Sequence, residues 1–475
     1  MGSAKELPIA CADRLERYRD IVPDWESFLE ALSRPLPQCI WTNTLLTSPD
    51  RLASLLSAEQ TNRLAWHPGA FKGPAGFAPG YSLPFIAGWY HTQEEVSLLP
   101  AFLLDPRPGE RILDLCAAPG NKSAQIAVAM ENSGTVVAND RDGIRMRAVR
   151  GIFDRLGIIN ATLTVADAVN FPLEAGLFDR VLADVPCTCE GTTRKHPAAL
   201  IDSGRDPSLG MHGQQSAILR RAVQLCRPGG CIVYATCTYA PEENEMVVDR
   251  ILAESGGDLS LLPARLPGFV SSPGLTSWCG RELESSLSNA MRVWPHQNDT
   301  GGFFVAVFLR GGDGPVGGDV VAPGPEAETW IGMLVDRFGI EPAVFKSMAL
   351  LRPSNKYVTV TSRDHRTVHR PDPVTVGMPL IRSALKYPKL TTPGARLLGR
   401  DARRNVIDVT RSQADRYLAR ENFEPWPEQR ERLTDTGYVI VMLQEIALGV
   451  GIFHAEENRV SSMFPMELSR GIRAE

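Results

Sequence analysis

The chain has 475 residues, 43% of them hydrophobic and 22% charged, with a formal net charge of −5. These proportions suit a globular protein and exclude a disordered or collagen-like one. At roughly 100–200 residues per domain, two to four domains are expected. No apolar run reaches the ~20 residues that cross a bilayer, so no membrane association is expected.

The N-terminal stretch "MGSAKELPIACADRLERYRD" has no apolar signal core. Nine scattered cysteines, an odd number, argue for a reducing compartment rather than a disulfide framework. A cytoplasmic monomer is the expectation. "ADRLERYRDIVPDWESFLEALSRPLP" has helical periodicity, broken at Pro23 and ended by Pro35 and Pro37. From Arg111 strands alternate with helical stretches: "RILDL", "TVVAND", "ATLTVAD", "FDRVLADVP" and "CIVYAT". That alternation predicts a parallel sheet with helices on both faces. "GGFFVAVFLRG" supplies a late strand, and "GGDGPVGGDVVAPGPEAE" reads as a flexible linker. Beyond it, "SNKYVTVTSRD" reads as a strand and "GYVIVMLQEIALGVGIFH" as a hairpin.

Charge is unevenly spread. Residues 326–475 carry 22 Lys+Arg against 19 Asp+Glu, or +3, so the remainder carries 28 against 36, or −8. Within 352–416 there are 14 basic and 5 acidic side chains, or +9. Such a block suits a polyanion or a solvated surface equally.

In a doubly wound sheet, ligands sit outside the carboxyl ends of the strands. The first strand ends at Asp114 and exits through Cys116, Ala117, Ala118, Pro119, Gly120, Asn121 and Lys122. This loop of mostly small residues lets backbone approach a ligand, with a helix N-terminus expected near Ser123. It matches neither GxGxxG nor a Walker loop. Asp140, Asp167 and Asp184 end the next three strands. A carboxylate at Asp140 suits ribose hydroxyls and one at Asp167 an adenine amine, although either could simply cap a helix. A ligand with ribose, adenine and no phosphate points to S-adenosylmethionine.

Four blocks in order carry a specific resemblance: "QEEVSLLP" before "GERILDLCAAPGNK", then "NDRDGIR", "DVPCTCEGTTRK" and "YATCTYAPEENE". Over roughly residues 85–310 the chain resembles the Nop/Sun family of RNA cytosine-5 methyltransferases. The resemblance implies an α/β fold with a Rossmann-like, seven-stranded methyltransferase sheet. It implies S-adenosylmethionine held by Cys116–Lys122, Asp140, Asp167 and Asp184, with Arg145 where the family has a helix arginine. The last ~80 residues resemble the PUA-like RNA-binding domain of the bacterial RsmF (YebU)-like branch, through "GYVIVMLQEIALGVGIF" and "NRVSSMFPMELSR". "WTNTL" resembles the family's N-terminal RNA-binding extension, with Trp41 in place of an arginine. The implied division is an RNA-binding extension (1–88), a methyltransferase domain (89–311), a linker (312–325), a basic intermediate region (326–395) and a PUA-like mixed α/β domain (396–475).

Carbon 5 of cytosine is a poor nucleophile until a thiolate adds to carbon 6. The resemblance assigns that attack to Cys237. Cys187 then helps remove the carbon 5 proton and release the product. Asp184 can stabilise N3, and Lys122 is an electrostatic partner. A helix N-terminus read at Pro241–Glu243 would favour the Cys237 thiolate through its dipole, opposed by the two glutamates. Cys189 stands where many relatives have Gly and is expected to be idle; Cys11, Cys39, Cys226, Cys231 and Cys279 are expected to be small buried hydrophobes. No metal site is expected. The expected reaction is 5-methylcytosine formation in RNA, 16S ribosomal RNA first. Transfer RNA, or a non-catalytic assembly factor that only binds RNA, are the alternatives.

Overall fold

The apolar runs between 111 and 310 become the lanes of one twisted sheet. The computed structural model describes residues 14–56, 61–74, 76–80, 82–197, 207–385 and 388–466. Cys11 and the last residues of "NRVSSMFPMELSR" lie outside them. The strands are β1 (Arg111–Asp114), β2 (Thr135–Asn139), β3 (Ala161–Thr164), β4 (Phe178–Asp184), β5 (Cys226–Thr236), β6 (Leu259–Leu262), β7 (Met291–Val293) and β8 (Phe303–Arg310). Their order is β3-β2-β1-β4-β5-β8, with β6 and β7 sharing the lane beyond β8. β1 to β5 are parallel; β8 runs antiparallel to β5. These seven lanes make a Rossmann-like sheet, extended past β7 by Ser272–Pro273.

Alternate strand residues fill two cores, as a period of two requires. Ile112, Val136, Leu182 and Val233 face helices α1 (Asn121–Ala129) and α2 (Arg145–Leu156). Leu113, Val137, Val181 and Ile232 face α3 (Pro207–Leu225) and α4 (Glu245–Glu254). Each such side chain, fully buried, contributes about 1.5–3 kcal/mol. The carboxyl ends of β1, β2, β4 and β5 therefore open on one rim.

The N-terminal residues are bolted to this sheet. A helix, Trp25–Ser33, is capped by Asp24 and stops before Pro35. Phe28 and Tyr18 pack edge-on against Tyr239, which stacks on Trp294. Trp41 is buried in the strand Cys39–Thr42 and donates its indole N–H to Gln93. In place of an arginine it is a core side chain. Asn43 of "WTNTL" donates to the carbonyls of Gly88 and Leu156, both at 2.8 Å.

The glycine-rich stretch after β8 is not a free tether. Gly317 N–H donates to Leu177 O, Val321 N–H to His365 O and Thr367 N–H to Asp319 O. Thr375–Val376 adds an antiparallel strand beside β3. Beyond lie two four-stranded sheets, one from 348 to 390 and one from 406 to 462. The expected boundary at 395/396 falls inside the helix Thr392–Leu398. Leu350, Val360 and Leu380 on one side share a core with Val406, Ile440 and Val450 on the other. The last sheet also packs on Leu46, Ile86 and Trp89 of the N-terminal segment. The hairpin read from sequence is Gly437–Leu443 paired with Ile446–His454. Among the described residues, no helix is long and apolar enough to cross a membrane.

Candidate active site

The rim is built from strand ends. β1 delivers Asp114, whose carboxyl is fully buried and pushed up to about 7 by that burial. It accepts from the Ser123 hydroxyl at 2.5 Å and from Cys116 N–H at 3.3 Å, which folds the Cys116–Lys122 loop back over the strand. Gly120 closes the loop at φ 110°, a conformation open to glycine, and a Cβ there would sit 3.0 Å from the Val149 backbone. α1 begins at Asn121, two residues before the expected start.

Asp140, at the tip of β2, is almost fully buried beneath this loop. It accepts from Ala118 N–H at 3.3 Å and Asp142 N–H at 2.9 Å, and pairs with Arg145 at 3.5 Å. Arg145 also donates to the Ala118 carbonyl at 2.6 Å. It therefore clamps the loop to Asp140. Asp167, exposed, caps its own turn by accepting from Val169 N–H and the Asn170 amide. Cys116 is half-buried, its thiol pushed up by burial and by the surrounding carboxylates.

β4 delivers Asp184, which accepts from Lys122 at 2.6 Å. Lys122 also lies over the Phe303 ring, 5.6 Å from its centroid. Burial would lower its ammonium pKa, but Asp184, Cys237 and Asp114 outweigh burial and raise it. Both cations at the loop, Lys122 and Arg145, are thus already paired with carboxylates. Such a donor set fits a ligand that carries ribose, adenine and positive charge rather than phosphate.

The two thiols meet. Cys187 Sγ lies 3.3 Å from Cys237 Sγ. The loops that carry them are laced together: Thr188 and Thr238 hydroxyls share a hydrogen bond at 2.8 Å, and Gly191 N–H donates to Cys237 O. Glu243, buried and pushed up to about 7 by burial, accepts from Thr188 N–H, the Thr188 hydroxyl and Gln215. Glu190 accepts from Thr238 and, across from the N-terminal segment, from Tyr18. A helix N-terminus at Pro241–Glu243 is not what forms. α4 starts at Glu245, and Glu243 turns inward as the acceptor for Thr188.

The Cys187 thiol is raised by its sulfur contacts to Cys189 and Cys237 and by burial. For Cys237 the Cys187 contact favours the thiolate. The Cys189 contact, burial and the Cys189 and Asp184 charges outweigh it, so this thiol too lies well above its ordinary range.

Several participants carried no sequence signal that placed them. Cys189 joins the pair, 3.9 Å from Cys187 Sγ. His91 accepts at Nδ1 from Arg155 at 2.5 Å, and Arg can only donate, so the proton sits on Nε2 and is donated to the Asn121 side chain at 3.0 Å. Burial, then Arg155, holds His91 neutral, down to about 4. Arg194 is structural, donating to Thr300 O, Pro35 O and Asp299. Cys39 and Cys226 are buried as expected, whereas Cys231 is half-buried and Cys279 is exposed.

The profile of the 16S rRNA methyltransferase RsmB/F family matches residues 101–309. A tRNA (cytosine(49)-C(5))-methyltransferase of Pyrococcus abyssi is 34% identical over 307 residues, 62% of this chain and 95% of that protein. The chain belongs to the RsmB/F family. The ribosomal RNA small subunit methyltransferase F of Pectobacterium atrosepticum is 30% identical over 354 residues, covering 72% of this RsmB/F chain and 68% of its relative. A crystal structure of a methyltransferase homolog from Pyrococcus horikoshii superposes with a TM-score of 0.56 at 32% identity, over 64% of this chain and all of that one. The RsmB/F chain spans little over a third of the 28S rRNA methyltransferases of human and mouse that it also matches, 37% and 36% of their lengths.

Proposed function

We propose that the protein methylates carbon 5 of a cytosine in RNA, with S-adenosylmethionine as donor, in the cytoplasm. The observation that carries this reading is the pair of thiols 3.3 Å apart at the tips of neighbouring strands, beside the Lys122–Asp184 ion pair. Of the two RNA classes, 16S ribosomal RNA is favoured by the length of the match to the small-subunit enzyme; transfer RNA is the alternative.

Cys116–Lys122, Asp140, Asp167 and Asp184 would hold S-adenosylmethionine, and Arg145 would hold the loop in shape. When bound, the cofactor supplies an electrophilic methyl group. Cys237 adds to carbon 6 of the extruded cytosine, making carbon 5 nucleophilic. Asp184, by relaying a proton from Lys122, offsets the negative charge that builds toward N3. Cys187 takes the carbon 5 proton, and the Cys237–carbon 6 bond breaks to free the product. The N-terminal segment and the basic 352–416 block grip the RNA backbone. Among the described residues of the 352–416 block, ten basic side chains are exposed: Arg352, Lys356, Arg363, Arg370, Arg382, Arg400, Arg403, Arg404, Arg411 and Arg416. Bisulfite mapping of total RNA with and without the protein tests the reading. Loss of one small-subunit rRNA signal supports it; loss confined to transfer RNA favours the alternative; no loss in either refutes it.

Asp140→Ala should weaken S-adenosylmethionine binding about tenfold or more, since charge-assisted hydrogen bonds are each worth roughly 1.5–3 kcal/mol. Calorimetry giving an unchanged affinity would remove Asp140 from the cofactor site.

The raised Cys237 thiol sets the pH dependence. A raised pKa means that the attacking thiolate is scarce at neutral pH and gains about tenfold per unit as pH rises toward that pKa. kcat/KM should therefore still be climbing at about pH 9, above the value of about 8.5 around which an ordinary thiol begins to level off. A plateau below pH 8 would show that the thiolate is preformed.

A further inference from the structure

We propose that Cys187, Cys189 and Cys237 form a binding site for a thiophilic divalent ion such as Zn²⁺, and that occupying it arrests methylation. The ligand atoms of the three residues all lie within 4.8 Å of one another. Two of the separations are 3.3 and 3.9 Å. Zn–S bonds of about 2.3 Å at tetrahedral angles require sulfurs about 3.8 Å apart, so small adjustments seat the ion.

A second observation concerns Cys189 alone. It sits at φ 58°, ψ 20°, in the left-handed region that costs a side chain energy and that glycine enters freely. The backbone holds this strained residue so that its sulfur turns toward the other two. Thr192 fixes that conformation, donating both its N–H and its hydroxyl to the Cys189 carbonyl. All three residues are half-buried rather than sealed in, and a water would complete a four-coordinate ion. Binding would release the thiol protons to solvent and give a trithiolate site of charge −1, beside the Lys122 ammonium. The site as such stands on these contacts. Its inhibitory consequence rests on the proposed role of Cys237.

The test uses the full-length protein, reduced with a phosphine and free of other thiols. Cd²⁺ is titrated first, because its thiolate charge-transfer absorption reports the ligands directly and needs no RNA. Wild type should bind one equivalent with that absorption, and Cys189→Gly should lose affinity about a hundredfold or more. Glycine also relieves the left-handed backbone, so that variant should fold at least as well. Equal affinity in wild type and Cys189→Gly, or no thiolate absorption at one equivalent, would overturn the site. In a second arm, Zn²⁺ should inhibit methyl transfer by wild type, reversibly on adding a chelator. Cys189→Gly should need about a hundredfold more zinc for the same inhibition. Stoichiometric Cd²⁺ binding with methylation untouched by Zn²⁺ would keep the site and overturn Cys237 as the nucleophile.

Discussion

Cys187→Ala protein is expected to accumulate a covalent protein–RNA species that survives denaturation, whereas Cys237→Ala protein forms neither adduct nor methylated RNA. The two sulfurs are nearly in contact, yet the order of the reaction separates them. Without Cys237 there is no attack on carbon 6, and turnover should fall about 10⁴-fold or more, the scale seen when a nucleophile is removed. Without Cys187 attack and transfer still proceed, but the carbon 5 proton has no acceptor and the Cys237–carbon 6 bond persists. The adduct should require S-adenosylmethionine and vanish in the double variant. A denaturing gel reads both outcomes. An adduct in Cys237→Ala and none in Cys187→Ala would reverse the roles while leaving the reaction class intact.

Asp184→Asn should lower the methyl-transfer rate by about 10²–10⁴-fold, the range for losing an acid–base group. Asp184, at the tip of the strand that leads to Cys187, pairs with Lys122 at 2.6 Å. Asparagine keeps the shape and a carbonyl acceptor. It cannot take up a proton and relay it to N3, and it leaves a largely buried ammonium unpaired. Single-turnover kinetics with saturating cofactor isolate the chemical step. A rate within about tenfold of wild type would assign the N3 contact to another group.

The sheet was readable because its strands are buried on both faces. "RILDL", "TVVAND" and "FDRVLADVP" are short apolar runs ended by carboxylates, and a parallel order follows from helices between them. The convergence of Cys187 and Cys237 followed from the same order, since β4 and β5 are neighbours. Other features depend on contacts that no local pattern carries. "LSLL" is half exposed and too short to announce itself as β6. The glycine-rich stretch after β8 looks like a tether because its stabilising contacts are backbone hydrogen bonds to distant carbonyls. Pro241 followed by two glutamates imitates a helix start, but Glu243 has a better use in holding Thr188 and Gln215. Cys189 comes to the thiol pair through one left-handed residue, and periodicity has no term for that. Arg145 is placed by resemblance as a cofactor residue; its hydrogen bond to the Ala118 carbonyl and its ion pair with Asp140, which tie the loop to the tip of β2, join residues far apart in sequence and carry no local signal.

The most direct test of the central claim is to incubate purified protein with total RNA and S-adenosylmethionine carrying a trideuterated methyl group, then digest the RNA and weigh its nucleosides. Cytosine-5 methylation predicts 5-methylcytidine heavier by the three deuteriums, with the carbon 5 proton lost to solvent. The label must be absent when Cys237→Ala replaces wild type. Label on an exocyclic amine or a ribose, or equal 5-methylcytidine from the Cys237→Ala protein, would contradict the account.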